Sequence, residues 1–286
     1  MASATHMILW MRIWPGAILV VAFGLVAVSC GGGDNSLVLG ATTSVQDSGL
    51  LDEIVHAFEA ETDYEVTPVV GGSGQILETA RQGEFDAIIT HSPADEEKFI
   101  TNGEGLDRRP FMDNYYLLVG PPADPAALAG AATLTEAFSR LASKEAAFLS
   151  RGDNSGTHMR ELAIWDDAGI DSAGESWYRE SAVGQGQNLL VASEKGAYTL
   201  VDSSTFVAFR DKVDLTEYVI DRQEPNVYSA IRVNPDRHAG VNSAAAHAFV
   251  DFLRSPAGQC LIDEFGRTEY GESLFSATCL TSNTGG

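Results

Sequence analysis

Three stretches of the chain place hydroxyls, glycines and a single arginine where helices are about to start, a combination suited to holding a small anion. The first is Ala41-Thr42-Thr43-Ser44, followed by Val45-Gln46-Asp47-Ser48-Gly49. The second is Gly71-Gly72-Ser73-Gly74-Gln75, and the third is Ser150-Arg151-Gly152-Asp153-Asn154-Ser155-Gly156-Thr157-His158. In the first turn of a helix the backbone N–H groups lack partners and the dipole is positive, so an anion there meets donors and a favourable potential together. Glycine lets the backbone approach a ligand, hydroxyls add donors without charge, and Arg151 adds a permanent charge on a planar fork. Ser, Thr, Asp and Asn are also ordinary N-caps, so one such segment alone reads first as helix capping. Three of them at strand ends, one carrying the arginine, point to a shared anion site. The Arg-Gly-Asp tripeptide in the third is short enough to arise by chance. Asp47 and Asp153 are expected to cap helices or pair with Arg151, because an exposed acceptor would favour a protonated oxyanion and repel a fully ionised one. His91 and His158 read as structural.

The elements that must position these segments alternate between strand and helix. Leu37 to Gly40 reads as a strand, and Leu50 to Ala60 as a helix through Leu51, Ile54, Val55 and Phe58. Val66 to Val70 is the next strand, Gln75 to Gln82 the next helix and Phe85 to Thr90 a further strand. That order predicts a largely parallel sheet with helices on both faces, whose ligand sites lie at the carboxyl ends of the strands. A second unit begins after Tyr115 to Val119, where Gly120-Pro121-Pro122 breaks the pattern. It holds the apolar run Ala146 to Leu149 and helices around His158 to Ala168 and Leu189 to Lys195. Tyr228 to Val233 is a further strand, and the amphipathic Ala244 to Leu253 returns to the first unit.

At the N-terminus a single Arg12 precedes the apolar run Ile13 to Val28, which falls short of the ~20 residues of a spanning helix. It ends in Ala27-Val28-Ser29-Cys30, small residues before a cysteine, similar to the lipobox of bacterial lipoproteins, in which that cysteine is lipidated. Gly31-Gly32-Gly33 then reads as a tether. With Cys30 so used, Cys260 and Cys279 remain as a candidate disulfide in an oxidising compartment, two free buried thiols being the other reading. The net charge of -22, from 40 acidic and 18 basic residues, excludes a nucleic-acid partner and gives an acidic solvated surface. Any anion site must therefore be local and strongly built. Enzyme motifs are missing: there is no Gly-x-Ser-x-Gly elbow, no His-Glu-x-x-His and no phosphate loop ending in Gly-Lys-Ser or Gly-Lys-Thr. A serine-type hydrolase using Ser73 or Ser155 is the residual enzyme reading.

The first segment, with Gln46-Asp47-Ser48-Gly49-Leu50-Leu51, resembles the threonine-rich opening of tungstate-binding proteins of the TupA type, and Ser150 to His158 resembles that family's second signature. Phosphate-binding proteins share a similar second signature, which by itself implies only oxyanion recognition. The resemblance continues through Asp86 to Pro93, Arg108-Arg109-Pro110, Trp177-Tyr178, Ala197 to Leu200 and Tyr270-Gly271. Ala41 departs from it, standing where the family commonly has a first threonine. The resemblance implies an α/β, two-lobed type II periplasmic-binding-protein fold, each lobe a mainly parallel sheet flanked by helices, with a two-strand hinge. Residues 1–29 would be a signal peptide, 30–36 a lipidated tether, 37–117 and 229–286 lobe I, and 118–228 lobe II. Thr42, Thr43 and Ser73 from one lobe and Arg151 and Thr157 from the other would bind the anion, with Ser44, Gly74, Ser155 and Gly156 in support and no direct metal-ion ligands. The implied protein is no enzyme and uses no cofactor. It is a lipid-anchored monomer on the outer face of the cytoplasmic membrane that delivers tungstate to the permease of an ABC importer, itself coupled to a cytoplasmic ATPase. Molybdate or phosphate is the alternative cargo.

Overall fold

The computed structural model describes residues 35–279, so the expected signal peptide, Cys30 and the glycine tether lie outside the described residues. The first strand-helix units form as the sequence leads one to expect. They are β1 (Ser36–Thr42), α1 (Thr43–Asp47), α2 (Leu50–Glu61), β2 (Glu65–Gly71), α3 (Ser73–Arg81), β3 (Ala87–Thr90) and α4 (Pro93–Thr101). The long strand β4 (Gly105–Gly120) leads into α5 (Leu134–Ser143), β5 (Phe148–Ser150), α6 (Gly156–Asp167), β6 (Tyr178–Glu180), α7 (Gln185–Lys195), β7 (Thr199–Asp202) and α8 (Ser203–Phe209). A second long strand, β8 (Thr216–Val233), returns to α9 (Ser243–Arg254), α10 (Pro256–Glu264) and α11 (Arg267–Tyr270).

The expectation of two mainly parallel sheets needs correction. One mixed six-stranded sheet runs β2-β1-β3-β8-β4-β7, and β5 and β6 form a parallel pair of their own. β1 is parallel to β2 and β3, whereas β8 is antiparallel to β3 and to β4, and β7 is antiparallel to β4. The mixture arises because β4 and β8 pair from one end to the other across several register shifts. Gly105 to Asn114 faces Asn226 to Val233 beside β3, and Tyr116 to Gly120 faces Thr216 to Asp221 beside β7, with a register shift between Asn114 and Tyr116. The small sheet extends the far end, since Leu149 N–H donates to Tyr198 C=O (2.8 Å) and Tyr198 N–H to Ala147 C=O (2.9 Å).

Apolar side chains collect separately at the two ends of this β4–β8 pair. Near β1 and β3, Leu51, Ile54, Phe58, Phe249 and Leu253 cover one face, while Ile76, Leu77, Phe85 and Phe99 cover the other. Beyond the register shift, Phe138, Leu141, Phe148, Ile164 and Trp165 cluster against Leu118 and Leu200, and Leu189 and Phe206 pack against Leu117 and Val201. Each end of the sheet is thus covered on both faces, the condition under which strands read as continuous apolar runs. Cys260 on α10 is bonded to Cys279, as expected of the two cysteines left to pair, and the bridge ties the chain after α11 to that helix.

Candidate anion-binding site

β5 ends at Ser150, and the next residue, Arg151, turns inward, only 2% exposed. Its guanidinium is fully directed. Nε donates to Val183 C=O (2.8 Å), Nη1 to the Gln185 amide oxygen (2.7 Å), and Nη2 to the Asp153 carboxylate and, at 3.5 Å, to the Thr43 hydroxyl. Gln185, itself buried, donates to Leu200 C=O at 3.3 Å, so the group that aims the fork is anchored in turn. A cation held this way needs no rearrangement when an anion arrives.

Among the described residues, five buried side-chain polar atoms have no hydrogen-bond partner, and three belong to the predicted segments: Thr42 Oγ1, Thr157 Oγ1 and His158 Nε2. Thr42 is the extended N-cap residue of α1, but its hydroxyl makes no capping bond. Thr157 is the second residue of α6, whose cap is made by Ser155, the acceptor for His158 N–H at 3.3 Å. Thr42 is 0% and Thr157 1% exposed, so water does not satisfy either hydroxyl from the surface. Buried hydroxyls are ordinarily bonded, so these two, on the segments that also carry Thr43 and Arg151, are exceptions with a hydrogen left to donate. Ser73 Oγ accepts from His91 N–H at 3.2 Å and keeps its own hydrogen to donate.

The three segments meet in space. Gly74 N–H donates to Asn154 C=O (3.2 Å), joining the second segment to the third, and Arg151 reaches Thr43 of the first. Gly156 packs so closely on His91 that a Cβ there would lie 2.3 Å from the His91 carbonyl oxygen, which explains the glycine. The start of α7 joins them, a participant that sequence reading missed: Gly186 N–H donates to Asp47 Oδ2 at 2.8 Å. The signal for it was Gly184-Gln185-Gly186, glycines opening a helix beside a polar residue. Three of the supporting residues are engaged in the fold, Ser155 as the cap of α6. Ser44 accepts from Tyr228 O–H (2.9 Å), and Gly74 spends its N–H on Asn154.

Both suspected acids are occupied as expected of capping or pairing groups. Asp153 pairs with Arg151 and accepts from Ser155 N–H (3.1 Å), while Asp47 sits at the N-terminus of α7. Burial raises the Asp47 pKa, opposed by the Gly186 bond and the Arg151 charge and assisted by Asp202. His91 is bonded to Asn226 (2.8 Å) and stacked on Tyr228, and burial lowers its pKa against the raising influence of Asn226, Asp202 and Glu96. A buried polar chain runs on through Asn226, which accepts from Tyr116 O–H and donates to Asn114, and Asn114 donates to Asp202. Asp202 is the cap of α8, accepting from Thr205 N–H at 3.0 Å. This fourth strand-to-helix junction, Asp202-Ser203-Ser204-Thr205, also escaped the sequence reading. Among the described residues, no group of three or more His, Cys, Asp or Glu side chains is placed to hold a metal ion.

The sheet order and the convergence of donor-rich strand ends define a solute-binding protein of the type II periplasmic-binding architecture. A profile of the PBP superfamily domain matches residues 30–257. An ABC transporter anion-binding protein of Haloferax volcanii is 40% identical over 261 residues, 88% of this chain and 75% of the relative. The tungstate-binding protein TupA of Peptoclostridium acidaminophilum is 38% identical over 246 residues, 84% of this chain and 85% of the relative. The crystal structure of the tungstate ABC transporter from Geobacter sulfurreducens superposes with a TM-score of 0.74 at 38% identity, covering 81% of this chain and 99% of that one. This chain belongs to the PBP superfamily and, within it, to the TupA-type family of ABC-transporter anion-binding proteins, which bind solutes and are not enzymes.

Proposed function

We propose that this protein is the extracytoplasmic receptor of an ABC importer and captures tungstate between two lobes joined by the β4–β8 pair. Lobe I is residues 37–117 and 229–286, and lobe II is residues 118–228. Thr42, Thr43 and Ser73 of lobe I and Arg151 and Thr157 of lobe II hold the oxyanion. The observation that carries this reading is the pair of buried, unpartnered hydroxyls, Thr42 and Thr157, on segments that meet at the Arg151 guanidinium. Relatives at 38% identity bear tungstate-binding names, which supports the cargo. The acids support it as well, because Asp153 is bonded to Arg151 and Ser155 through both oxygens and Asp47 accepts from Gly186 N–H, so each is engaged by protein donors. Tungstate is a fully ionised dianion at neutral pH and asks only for donors. Each charge-assisted hydrogen bond contributes roughly 1.5 to 3 kcal/mol, so several together offset desolvation. Loaded protein then presents the anion to the membrane permease, driven by a cytoplasmic ATPase, and lipidation of Cys30 keeps the receptor, a monomer, at the outer face of the membrane.

Calorimetric titration of the ligand-stripped protein with tungstate, molybdate, phosphate and sulfate tests the reading. Tungstate and molybdate, alike in charge and shape, are expected to bind tightly and phosphate far more weakly. Phosphate binding as tight as tungstate binding would overturn the donor-only site.

A further inference from the structure

His158 lies one residue beyond Thr157 in the first turn of α6, and its bonds run through Asn154 to the opposite side of the cleft. Asn154 is one of the few non-glycine residues in the left-handed region, with φ of 56°, where asparagine is tolerated better than most side chains. Two bonds hold its main chain. Its N–H donates to His158 Nδ1 at 3.0 Å, and its C=O accepts from Gly74 N–H at 3.2 Å. A Cβ on Gly74 would lie 2.7 Å from that carbonyl oxygen, so the approach of the two segments is close and specific. Because a backbone N–H can only donate, Nδ1 must be unprotonated and the proton of the neutral ring sits on Nε2.

We propose that His158 is a positioning residue of the anion site, whose neutral ring holds Asn154 so that its carbonyl takes the Gly74 N–H and closes the two sides over the ligand. The inference rests on the anion-site reading above. It gives His158 a part in ligand retention although its ring need not touch the ligand.

Protonation of the ring would put a second donor against Asn154 N–H and break the first link. The charged groups facing the ring are Asp153 in the same loop, Glu180 at the end of β6, and Arg151. Burial is the largest influence and lowers the His158 pKa, Asp153 and Glu180 raise it, and Arg151 lowers it further. The neutral form therefore persists through neutral pH, and the link is lost as pH falls below the ordinary histidine value of about 6.5. Two readings of the residue then differ in sign. A histidine acting only through its charge would tighten the binding of a dianion on acidification, whereas a positioning histidine loosens it.

The experiment measures tungstate affinity and dissociation rate from pH 7.5 to pH 5, at dilute ligand, for the unmodified protein and for His158→Asn, His158→Leu and Arg151→Ala. Asparagine places an acceptor where Nδ1 stands and does not titrate; leucine offers no acceptor. Since both proteins meet the same anion at each pH, ligand protonation cancels in the comparison. At pH 7.5 His158→Leu should release tungstate about 3- to 10-fold faster, the size of one net hydrogen bond, and His158→Asn should restore most of the loss. Toward pH 5 the unmodified protein should weaken relative to His158→Asn. Tighter binding of the unmodified protein than of His158→Asn at the acidic end would overturn the proposal, as would normal release from a folded His158→Leu. If Arg151→Ala also binds normally, the anion site itself is misplaced. If Arg151→Ala loses binding while both His158 variants behave as the unmodified protein, only the positioning role fails.

Discussion

The two sides of the candidate site differ in chemistry. The Thr42–Ser44 and Gly71–Gly74 segments bring neutral hydroxyls and no cation, whereas the Ser150–Thr157 segment brings Arg151, already bonded to Val183, Gln185 and Asp153. Each side also rests on a buried glutamate, and these differ in the same spirit. Glu96, behind the end of β3, receives Thr90 O–H (2.9 Å), Ser92 N–H (2.8 Å) and the Arg108 guanidinium (2.8 Å). Glu161, behind the end of β5, receives only neutral donors, Tyr178 O–H (2.8 Å), Trp165 Nε1–H (3.2 Å) and the Ser150 side chain. Glu161, on the side that carries Arg151, thus has no cation among its hydrogen-bond donors, whereas Glu96 has one. On the proposed reading, attraction for the anion is concentrated in Arg151, and the opposite side adds neutral donors.

Replacing Arg151 by Ala breaks this division most directly. It removes the counter-charge and leaves Asp153 without its ion-pair partner, an anion beside an anion. Loss of one partner of a buried, hydrogen-bonded charge pair typically costs 2 to 5 kcal/mol or more, which is roughly 30-fold to several thousand-fold in affinity. Arg151→Lys should recover part of it, because the ammonium keeps the charge but not the planar fork that meets Val183, Gln185 and Thr43 together. Tungstate titration of both variants, with circular dichroism as a check on folding, measures the ranking. Arg151→Ala binding as tightly as the unmodified protein would place the charge elsewhere.

The contrast between the glutamates predicts a pH effect of the next size. Burial pushes the Glu161 pKa up to about 7, against the lowering influence of Ser150, Tyr178 and Trp165. The folded protein therefore holds a proton that the unfolded chain has already lost between about pH 4.5 and pH 7. Since the native state binds more protons in that window, this residue's contribution to stability is fully present below it and declines as pH rises through about 7. Glu161→Gln has nothing to titrate. Between pH 5 and pH 8 its stability should improve relative to the unmodified protein by about 2 to 3 kcal/mol, read from denaturant unfolding at both pH values. An unchanged difference would mean that Glu161 is ionised in the fold, like a paired carboxylate.

How much of this was legible in the sequence follows from how each element is stabilised. β1, β2, β3, α2 and α3 were readable, because apolar runs and 3.6-residue spacing sit between glycine and hydroxyl punctuation. The long strands were not. Only Tyr115 to Val119 of β4 and Tyr228 to Val233 of β8 read as strand, since Asp107-Arg108-Arg109-Pro110 and Asp221-Arg222-Gln223-Glu224-Pro225 interrupt the rest with charges and prolines. Those stretches are largely exposed and irregular, with Asp107 left-handed at φ 53° and 222–225 without partners on β4, so the strands are held by the paired residues on either side, which no local pattern reports. The mixed sheet was missed for that reason. Around the candidate site, the burial of Arg151 and the unpartnered hydroxyls of Thr42 and Thr157 fall on segments that a lone cation and helix-starting hydroxyls mark in one dimension. Gln185, Asn154 and the chain from Asn226 to Asp202 could not, because their meaning lies in partners far along the chain.

The smallest predicted effects divide the hydroxyls themselves into two groups, and they test the comparison where it is finest. Thr42 and Thr157 have hydroxyls with no partner in the protein, whereas Ser44 and Ser155 have hydroxyls spent on Tyr228 and on the cap of α6. Deleting an unpartnered buried hydroxyl removes no native bond and relieves an unmet desolvation cost, which offsets the buried methyl lost with it, so Thr42→Ala and Thr157→Ala should change stability little. Each should still weaken tungstate binding by about 0.5 to 1.5 kcal/mol, roughly 2- to 12-fold, because a donor to the anion is gone. Ser44→Ala and Ser155→Ala should do the reverse. Ser155→Ala loses an N-cap, at about 1 kcal/mol of stability, and Ser44→Ala leaves a buried tyrosine O–H without its acceptor, at about 1 to 3 kcal/mol. Both oxygens are held in place by protein donors and serve the fold first, so affinity in the folded fraction should change less than in the threonine variants. Thermal unfolding paired with titration across all four places each residue on two axes. If Thr42→Ala and Thr157→Ala lose stability and keep affinity, their hydroxyls serve the fold, and the donors to the anion must be sought among Thr43, Ser73 and the backbone N–H groups of α6.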